Sequence, residues 1–360
     1  MSQFRIFLKK ETTIMNKHYD VALVGVGIGA NYGSALTYFA ISETIKSLGK
    51  SVVLVGKLYD QKVGIGDPEL SERNPSLAFA KEYSDVTKPY AYNDLNIKEL
   101  NNIADTFVVG TDQVWGNSIA NFTKDGFHLG FVNDDKRKVS IAASFGHWDD
   151  FTPLNMIDHR KALYQRFNKI SVREFDGVKI LRDKYQVEAS QILEPVFYID
   201  NERYFEVADG SAIDTSEPYV LTYILDMTSE KQKVVDAISN GLGLPIRVLP
   251  DGFENVVQNI GDYKFTPKDV LKLFRDATYV ITDSFHGTSF SLKFNKNFVT
   301  LVNPKRGVSR FNTLLEILGE NDRFIFDYSD VYDNPKDYFE QPDYTMTNQR
   351  IIEASEKAKK

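Results

Sequence analysis

The chain has 360 residues, with 43 Lys and Arg against 50 Asp and Glu for a net charge of −7, no cysteine, 42% hydrophobic residues and 13% aromatic ones. That length suits two domains of roughly 150 residues each, and the mix of apolar and charged residues excludes global disorder. The acidic balance argues against bulk nucleic-acid binding, and the lack of cysteine removes disulfides, thiolate metal sites, iron–sulfur clusters and cysteine nucleophiles together.

The N-terminal stretch 1–17 has charges around a short apolar patch and no small-residue cleavage site, so it does not read as a secretory signal and is expected to lie outside the fold. The longest apolar stretch, 21–30, is broken by glycines and falls far short of a bilayer span. Residues 19–26 read as a first strand. Asn31-Tyr32-Gly33-Ser34 opens a helix with Leu36, Phe39, Ala40, Ile45 and Leu48 at helical spacing, and Gly49 ends it. A second strand covers 51–58, and 60–92 reads as an irregular insertion. A helix at 94–104 precedes a buried strand at 106–110 that empties into the loop 111–117. Strands at 138–144, 169–172 and 191–193 then alternate with helices at 156–167 and 175–184.

Composition shifts at 201–218, which reads as a linker. Beyond it, strands at 219–225, 246–250, 278–282 and 298–302 alternate with helices at 229–242, 267–275, 288–294 and 309–318. The tail 320–348 is turn-rich and acidic, and 347–360 reads as a last helix. Such alternation is the pattern of βαβ units in mainly parallel sheets. The expected fold is α/β, with two Rossmann-like domains facing a central cleft: an extension at 1–17, domains at 18–205 and 206–345, and a helix at 346–360.

Four segments carry chemistry. The glycine-rich turn Gly25 to Gly33 suits an anion at a helix start, but it lacks the GxGxxG spacing and the ribose-binding acid of a dinucleotide site, and close helix–strand packing accounts for some of its glycines. In the loop 110–117 at a strand end, Asp112 could take a proton from a hydroxyl and Trp115 could stack on a sugar; an Asx-type turn with a core tryptophan is the plainer account. Arg173 ends a buried strand beside Glu174, either as an anion fork or as half of a structural pair. The strongest segment is Asp283-Ser284-Phe285-His286-Gly287-Thr288-Ser289, where hydroxyls, N–H donors and an imidazole converge at a helix start. Lys305, Arg306 and Arg310 supply local positive charge that the whole chain lacks. The other histidines, His18, His128, His147 and His159, show no metal-site spacing, and the nucleophile elbow and Walker loop are both absent.

Taken together, Asn31-Tyr-Gly-Ser-Ala, Val109-Gly-Thr-Asp-Gln-Val-Trp, Ala143-Ser-Phe-Gly, Ser171-Val-Arg-Glu, Glu194-Pro-Val-Phe, Asp283-Ser-Phe-His-Gly-Thr-Ser-Phe-Ser and Ser309-Arg-Phe resemble the polysaccharide pyruvyltransferase family in order and spacing, over about residues 20–318. The resemblance implies a B-type glycosyltransferase fold and transfer of pyruvyl from phosphoenolpyruvate to a hydroxyl pair of a saccharide, in cell-surface polysaccharide biosynthesis. It implies no cofactor and no metal. Carried over, His286, Asp112 and Arg173 are the catalytic set. Arg173, Ser284, His286, Gly287, Lys305 and Arg310 are on the donor side, and Asn31, Tyr32, Gln113 and Trp115 on the acceptor side. Ser284 stands where many relatives carry arginine, so other cations must meet part of the donor's charge.

Acceptors in such pathways are often lipid-linked, which implies a cytoplasmic protein able to associate peripherally with the inner membrane face without a transmembrane segment, and no nucleic-acid partner. The rival readings are a B-type glycosyltransferase using a nucleotide sugar and a non-catalytic saccharide-binding protein, in which Trp115, Trp148 and Tyr32 would stack on sugar.

Overall fold

The computed structural model describes residues 13–29, 31–59, 74–116, 124–250, 265–303, 307–319 and 322–359. The chain divides into two compact units, the first holding Met1–Gly29 and Ser34–Pro195, the second Ala30–Gly33 and Val196–Lys360.

Strands of the first unit are β1 (Tyr19–Val24), β2 (Val52–Leu54), β3 (Leu58–Tyr59), β4 (Asp85–Val86), β5 (Tyr90–Ala91), β6 (Ala104–Val109), β7 (Arg137–Ala143), β8 (Lys169–Val172) and β9 (Ser190–Gln191). Seven of them form a parallel sheet in the order β4-β2-β1-β6-β7-β8-β9, and β3 pairs with β5 alone. Alternate side chains leave opposite faces of a strand. Accordingly Ala22 and Val24 of β1 join Phe107 and Val109 of β6 in one apolar cluster, while Val21 and Leu23 join Val108 in a second. A sheet buried on both faces explains why β1 and β6 read as almost continuous apolar runs.

Described helices in this part of the chain include α1 (Tyr32–Ser47), α2 (Pro75–Tyr83), α3 (Ile157–Tyr164) and α4 (Phe175–Tyr185), with a 3-10 helix at Leu95–Asn102. Two expectations need correction here. The expected insertion 60–92 holds α2, which starts where Asn74 accepts from the Ser76 amide with Pro75 in its first turn, together with β4 and β5; residues 60–73 lie outside the described set. The expected N-terminal extension is not wholly outside the fold. Ile14 is 4% exposed and joins the core of Tyr19 and Ile97, with Met15 packed against that core. Residues 1–12 lie outside the described set.

The second unit carries helix α5 (Asn201–Asp209), strand β10 (Val220–Tyr223), helix α6 (Ser229–Leu242), strand β11 (Ile246–Val248), helix α7 (Pro267–Asp276), strand β12 (Tyr279–Thr282), helix α8 (Phe285–Lys293), strand β13 (Asn297–Leu301), helix α9 (Val308–Leu318), strand β14 (Phe324–Ile325), helix α10 (Ser329–Asp333) and helix α11 (Thr345–Ala358). Its five strands are parallel in the order β11-β10-β12-β13-β14.

The stretch read as a linker begins instead with α5. Its Tyr204, Val207 and Ala208 are buried at helical spacing, Tyr204 lies edge-on to Phe290 at 5.5 Å, and the units divide at Pro195/Val196. α11 belongs to this same unit, where Ser355 Oγ donates to the Phe197 carbonyl at 3.1 Å. Among the described residues, no helix is long and apolar enough to cross a membrane.

Candidate functional site

In the first unit a buried ionic cluster forms beyond the carboxyl ends of β6 and β8. β6 stops at Val109, and the chain turns so sharply that Asp112 takes φ +67°, a left-handed conformation that aspartate tolerates better than most residues. Its carbonyl accepts from Val114 N at 2.7 Å and Ser144 N at 3.0 Å, tying the turn to the end of β7. The Asp112 carboxylate accepts from Ser34 Oγ at the start of α1 and from Arg173 Nη2 at 3.2 Å.

Arg173 follows β8. Its Nη1 donates to Glu194 Oε2 at 2.7 Å, and its Nε lies 4.0 Å from Glu174 Oε2. Glu174 Oε1 in turn accepts from Phe145 N at 2.7 Å. Burial disfavours the guanidinium's charge, but the carboxylates of Glu194, Asp112 and Glu174 outweigh it and hold the group firmly protonated. Arg173 thus faces three buried carboxylates, those of Asp112, Glu174 and Glu194.

Arg173, expected on the donor side, bonds Asp112 and Glu194 directly and so joins the expected base to a second buried carboxylate. Glu194 and Ser34 were not among the expected site residues. Glu194 had a faint sequence signal as the acid before Pro195, and Ser34 as the last residue of the helix-opening motif.

The acceptor residues expected in this unit separate. Gln113 packs against Gly146, which has φ +70° and whose added Cβ would lie 2.3 Å from Gln113 Oε1, so the turn after β7 closes over that amide only with glycine there. Trp115 is a core residue and not a stacking surface. It is 2% exposed, donates from Nε1 to the Phe127 carbonyl at 3.0 Å, stacks on His128 at 6.0 Å and meets Tyr164 edge-on at 5.0 Å.

In the second unit, α8 begins three residues earlier than its expected start because Ser284 caps it, its Oγ accepting from Gly287 N at 3.3 Å. Ser284 is thus a helix cap. Gly287 sits so close to β12 that an added Cβ would lie 2.3 Å from Thr282 Oγ1. His286 is buried in the first turn of α8. Gly33 lies against its ring, and a Cβ on Gly33 would lie 2.2 Å from Nδ1.

Arg310 is buried in the first turn of α9 and places its guanidinium 5.3 Å over the Phe285 ring, beside His286 in the chain. Asn31 is half-buried. Tyr32 is 2% exposed. Lys305 and Arg306 lie outside the described residues.

Beneath the His286 turn, Asp283 accepts from Leu225 N at 2.6 Å, Asp226 N at 3.2 Å and the buried Lys231 Nζ at 2.6 Å. This network fixes the strand end from which α8 starts. Nothing in the sequence pattern distinguished Lys231, which sits in an otherwise ordinary amphipathic helix.

The two sites offer a buried carboxylate with a hydroxyl at hand, and a buried imidazole next in the chain to the phenyl ring on which a guanidinium stacks. The model of the polysaccharide pyruvyl transferase family matches residues 11–305. The chain belongs to this family.

No curated protein matches this pyruvyl transferase family member. Among solved structures, a Listeria monocytogenes protein assigned as a UDP-N-acetylglucosamine 2-epimerase is similar at 11% identity and a TM-score of 0.51, covering 93% of this chain and 95% of that one. A glycosyltransferase from Rickettsia africae has 11% identity, coverage of 95% and 93%, and a TM-score of 0.49. The wall teichoic acid polymerase TagF has 11% identity, coverage of 99% and 92%, and a TM-score of 0.49. The fold is therefore α/β with parallel sheets, of the type found in B-type glycosyltransferases.

Proposed function

We propose that this family member transfers the pyruvyl group of phosphoenolpyruvate to two hydroxyls of one saccharide, giving a cyclic ketal and inorganic phosphate. Family membership over residues 11–305 is the observation that carries the reading, and the placement of His286 and Asp112 supports its division of labour. The methylene carbon of phosphoenolpyruvate takes a proton and becomes a methyl group, leaving an oxocarbenium-like centre. One sugar hydroxyl adds there and gives up its proton, phosphate departs with its bridging oxygen, and the second hydroxyl adds and gives up its own proton. One proton is consumed at carbon and two are released from the hydroxyls, one of which the phosphate carries.

In this scheme His286 acts as the general acid that donates the proton to carbon. Asp112 accepts the hydroxyl proton, with Ser34 as the hydrogen-bonded group at its other side. Arg173 holds Asp112 in place as a positioning residue. The donor's carboxylate and phosphate fall to Arg310 and the helix start of α8, with Lys305 as a further cation. No cofactor enters the scheme. The acceptor is a saccharide of cell-surface polysaccharide assembly, and the enzyme works in the cytoplasm, at the inner membrane face when that acceptor is lipid-linked.

The B-type fold also suits a glycosyltransferase using a nucleotide sugar. Two measurements separate the readings: whether phosphoenolpyruvate or a nucleotide raises the melting temperature, and whether the product gains a pyruvyl or a glycosyl mass. Stabilisation by phosphoenolpyruvate that Arg310→Ala abolishes is the expected result; stabilisation by a nucleoside diphosphate alone would transfer the reading to glycosyl transfer.

A further inference from the structure

After β7 the chain makes a turn, 146–154, that carries Trp148, Phe151 and Leu154, which are 66%, 56% and 88% exposed. Single exposed apolar residues are ordinary, whereas three within seven residues call for a partner. The rings gather into one cluster: His147 lies 5.2 Å from Trp148 and 5.0 Å from Phe151, and Trp148 and Phe151 meet edge-on at 6.2 Å.

This turn is anchored. Asp150 is buried, its Oδ1 accepting from Thr152 N at 3.1 Å and Thr152 Oγ1 at 2.8 Å. Tyr185 of α4 donates to its other carboxylate oxygen, and Lys184 donates to its carbonyl. Asp149 Oδ1 accepts from Asp150 N at 2.8 Å, and His147 Nδ1 accepts from Asp149 N at 3.3 Å. The fold thus spends buried hydrogen bonds to hold apolar rings out in water, so a ligand meets a surface whose ordering cost is already met.

The same turn starts at Phe145 and Gly146, which touch Glu174 and Gln113, so it belongs to the end of the sheet that holds the Asp112 cluster. We infer that Trp148 and Phe151 form the platform on which the acceptor saccharide stacks, with the Asp149 carboxylate accepting from its hydroxyls; this rests on the pyruvyl-transfer reading above. A pyranose offers C–H groups on one face and hydroxyls around its rim, which matches an aromatic face flanked by an acid. An anionic lipid surface matches less well, because Asp149 follows Trp148 directly in the chain and brings a negative charge to the turn.

The test uses both tryptophans of the chain, since Trp115 is buried and only Trp148 faces water. The full-length protein is titrated, without phosphoenolpyruvate, with methyl glycosides of glucose, galactose, mannose and N-acetylglucosamine while tryptophan emission is recorded. Michaelis constants for the glycoside and for phosphoenolpyruvate are then taken from phosphate release. The platform predicts that at least one glycoside shifts the emission, that Phe151→Ala weakens this about tenfold or more, and that Trp148→Ala raises the glycoside KM by a similar factor while the phosphoenolpyruvate KM stays within about twofold. Trp148→Phe restores most of the loss. An unchanged glycoside KM in both alanine variants overturns the platform and leaves pyruvyl transfer standing. If the wild type releases no phosphate, the emission titration still decides, and no shift with any glycoside overturns the platform. Binding to phosphatidylglycerol vesicles that Trp148→Ala abolishes, with no glycoside response, would replace it with a membrane contact.

Discussion

Arg173 and Asp112, 61 residues apart in sequence, meet at 3.2 Å, while the other terminal nitrogen of the same guanidinium is held by Glu194 at 2.7 Å. The two residues therefore respond differently to substitution. Asp112→Asn keeps the size of the side chain and a hydrogen-bonding oxygen for Arg173 while removing the proposed base. The expected result is a fall in turnover of about 10²–10⁴-fold with little change in the denaturant midpoint. Arg173→Met removes the buried guanidinium that bonds Asp112 and Glu194 and is expected to cost about 3–5 kcal/mol, read from chemical denaturation. A variant as stable as wild type would show that the cluster is not held by Arg173.

Gly33 tests the imidazole from the opposite side. A methyl group there would sit 2.2 Å from His286 Nδ1, a distance that forces the ring to move, at a cost of about 1–3 kcal/mol when packing is otherwise kept. Gly33→Ala should lose most activity without losing its far-ultraviolet circular dichroism. Because the loss acts through the imidazole, adding His286→Ala to Gly33→Ala should cost no more than His286→Ala alone. Fully additive losses would mean that Gly33 acts elsewhere.

Trp115 and His128 make a pH prediction. Burial foremost, and then the charge of Arg160, hold the His128 pKa well below its ordinary 6.5. Below that value the unfolded chain takes up a proton that the folded chain refuses, so the unfolded state is favoured as pH falls. Stability should be flat above about pH 6.5 from this source and fall by up to roughly 1.4 kcal/mol per unit below it, until the folded pKa is reached. Trp115 stacks on His128, so its emission follows the transition. His128→Gln should flatten this part of the profile; an unchanged slope would assign the acid sensitivity to other groups.

The legible part of the fold was what one strand or helix encodes by itself. β8 runs from Lys169 to Val172 and α6 from Ser229 to Leu242, both as their periodicity predicts. α5 was missed although Tyr204, Val207 and Ala208 carry its period, because its charged residues and the Gly and Ser that follow outweigh a short apolar stripe in composition. The start of α8 was misplaced because Ser284 reads equally as a loop residue and as a cap, and only the accepted Gly287 N–H decides.

At the two sites, Asp112 and Arg173 in one unit and His286 in the other stand out by residue type at strand ends. Their partners do not, since Glu194, Ser34 and Lys231 become neighbours only through strand order, which no local pattern contains. Burial was the other hidden quantity. Trp115 and Tyr32 look like sugar-stacking residues by type, and residue type does not tell that both are buried.

The central claim is that this protein releases phosphate from phosphoenolpyruvate only as it builds a ketal on a saccharide. The most direct measurement is phosphate release from phosphoenolpyruvate by the wild-type enzyme over mono- and lipid-linked saccharides, with mass analysis of each product and with His286→Ala and Asp112→Asn beside it. The account predicts acceptor-dependent release, a product carrying one added pyruvyl group, and loss of both in the two variants. Release that needs no acceptor, or a product bearing a glycosyl mass in its place, would contradict it.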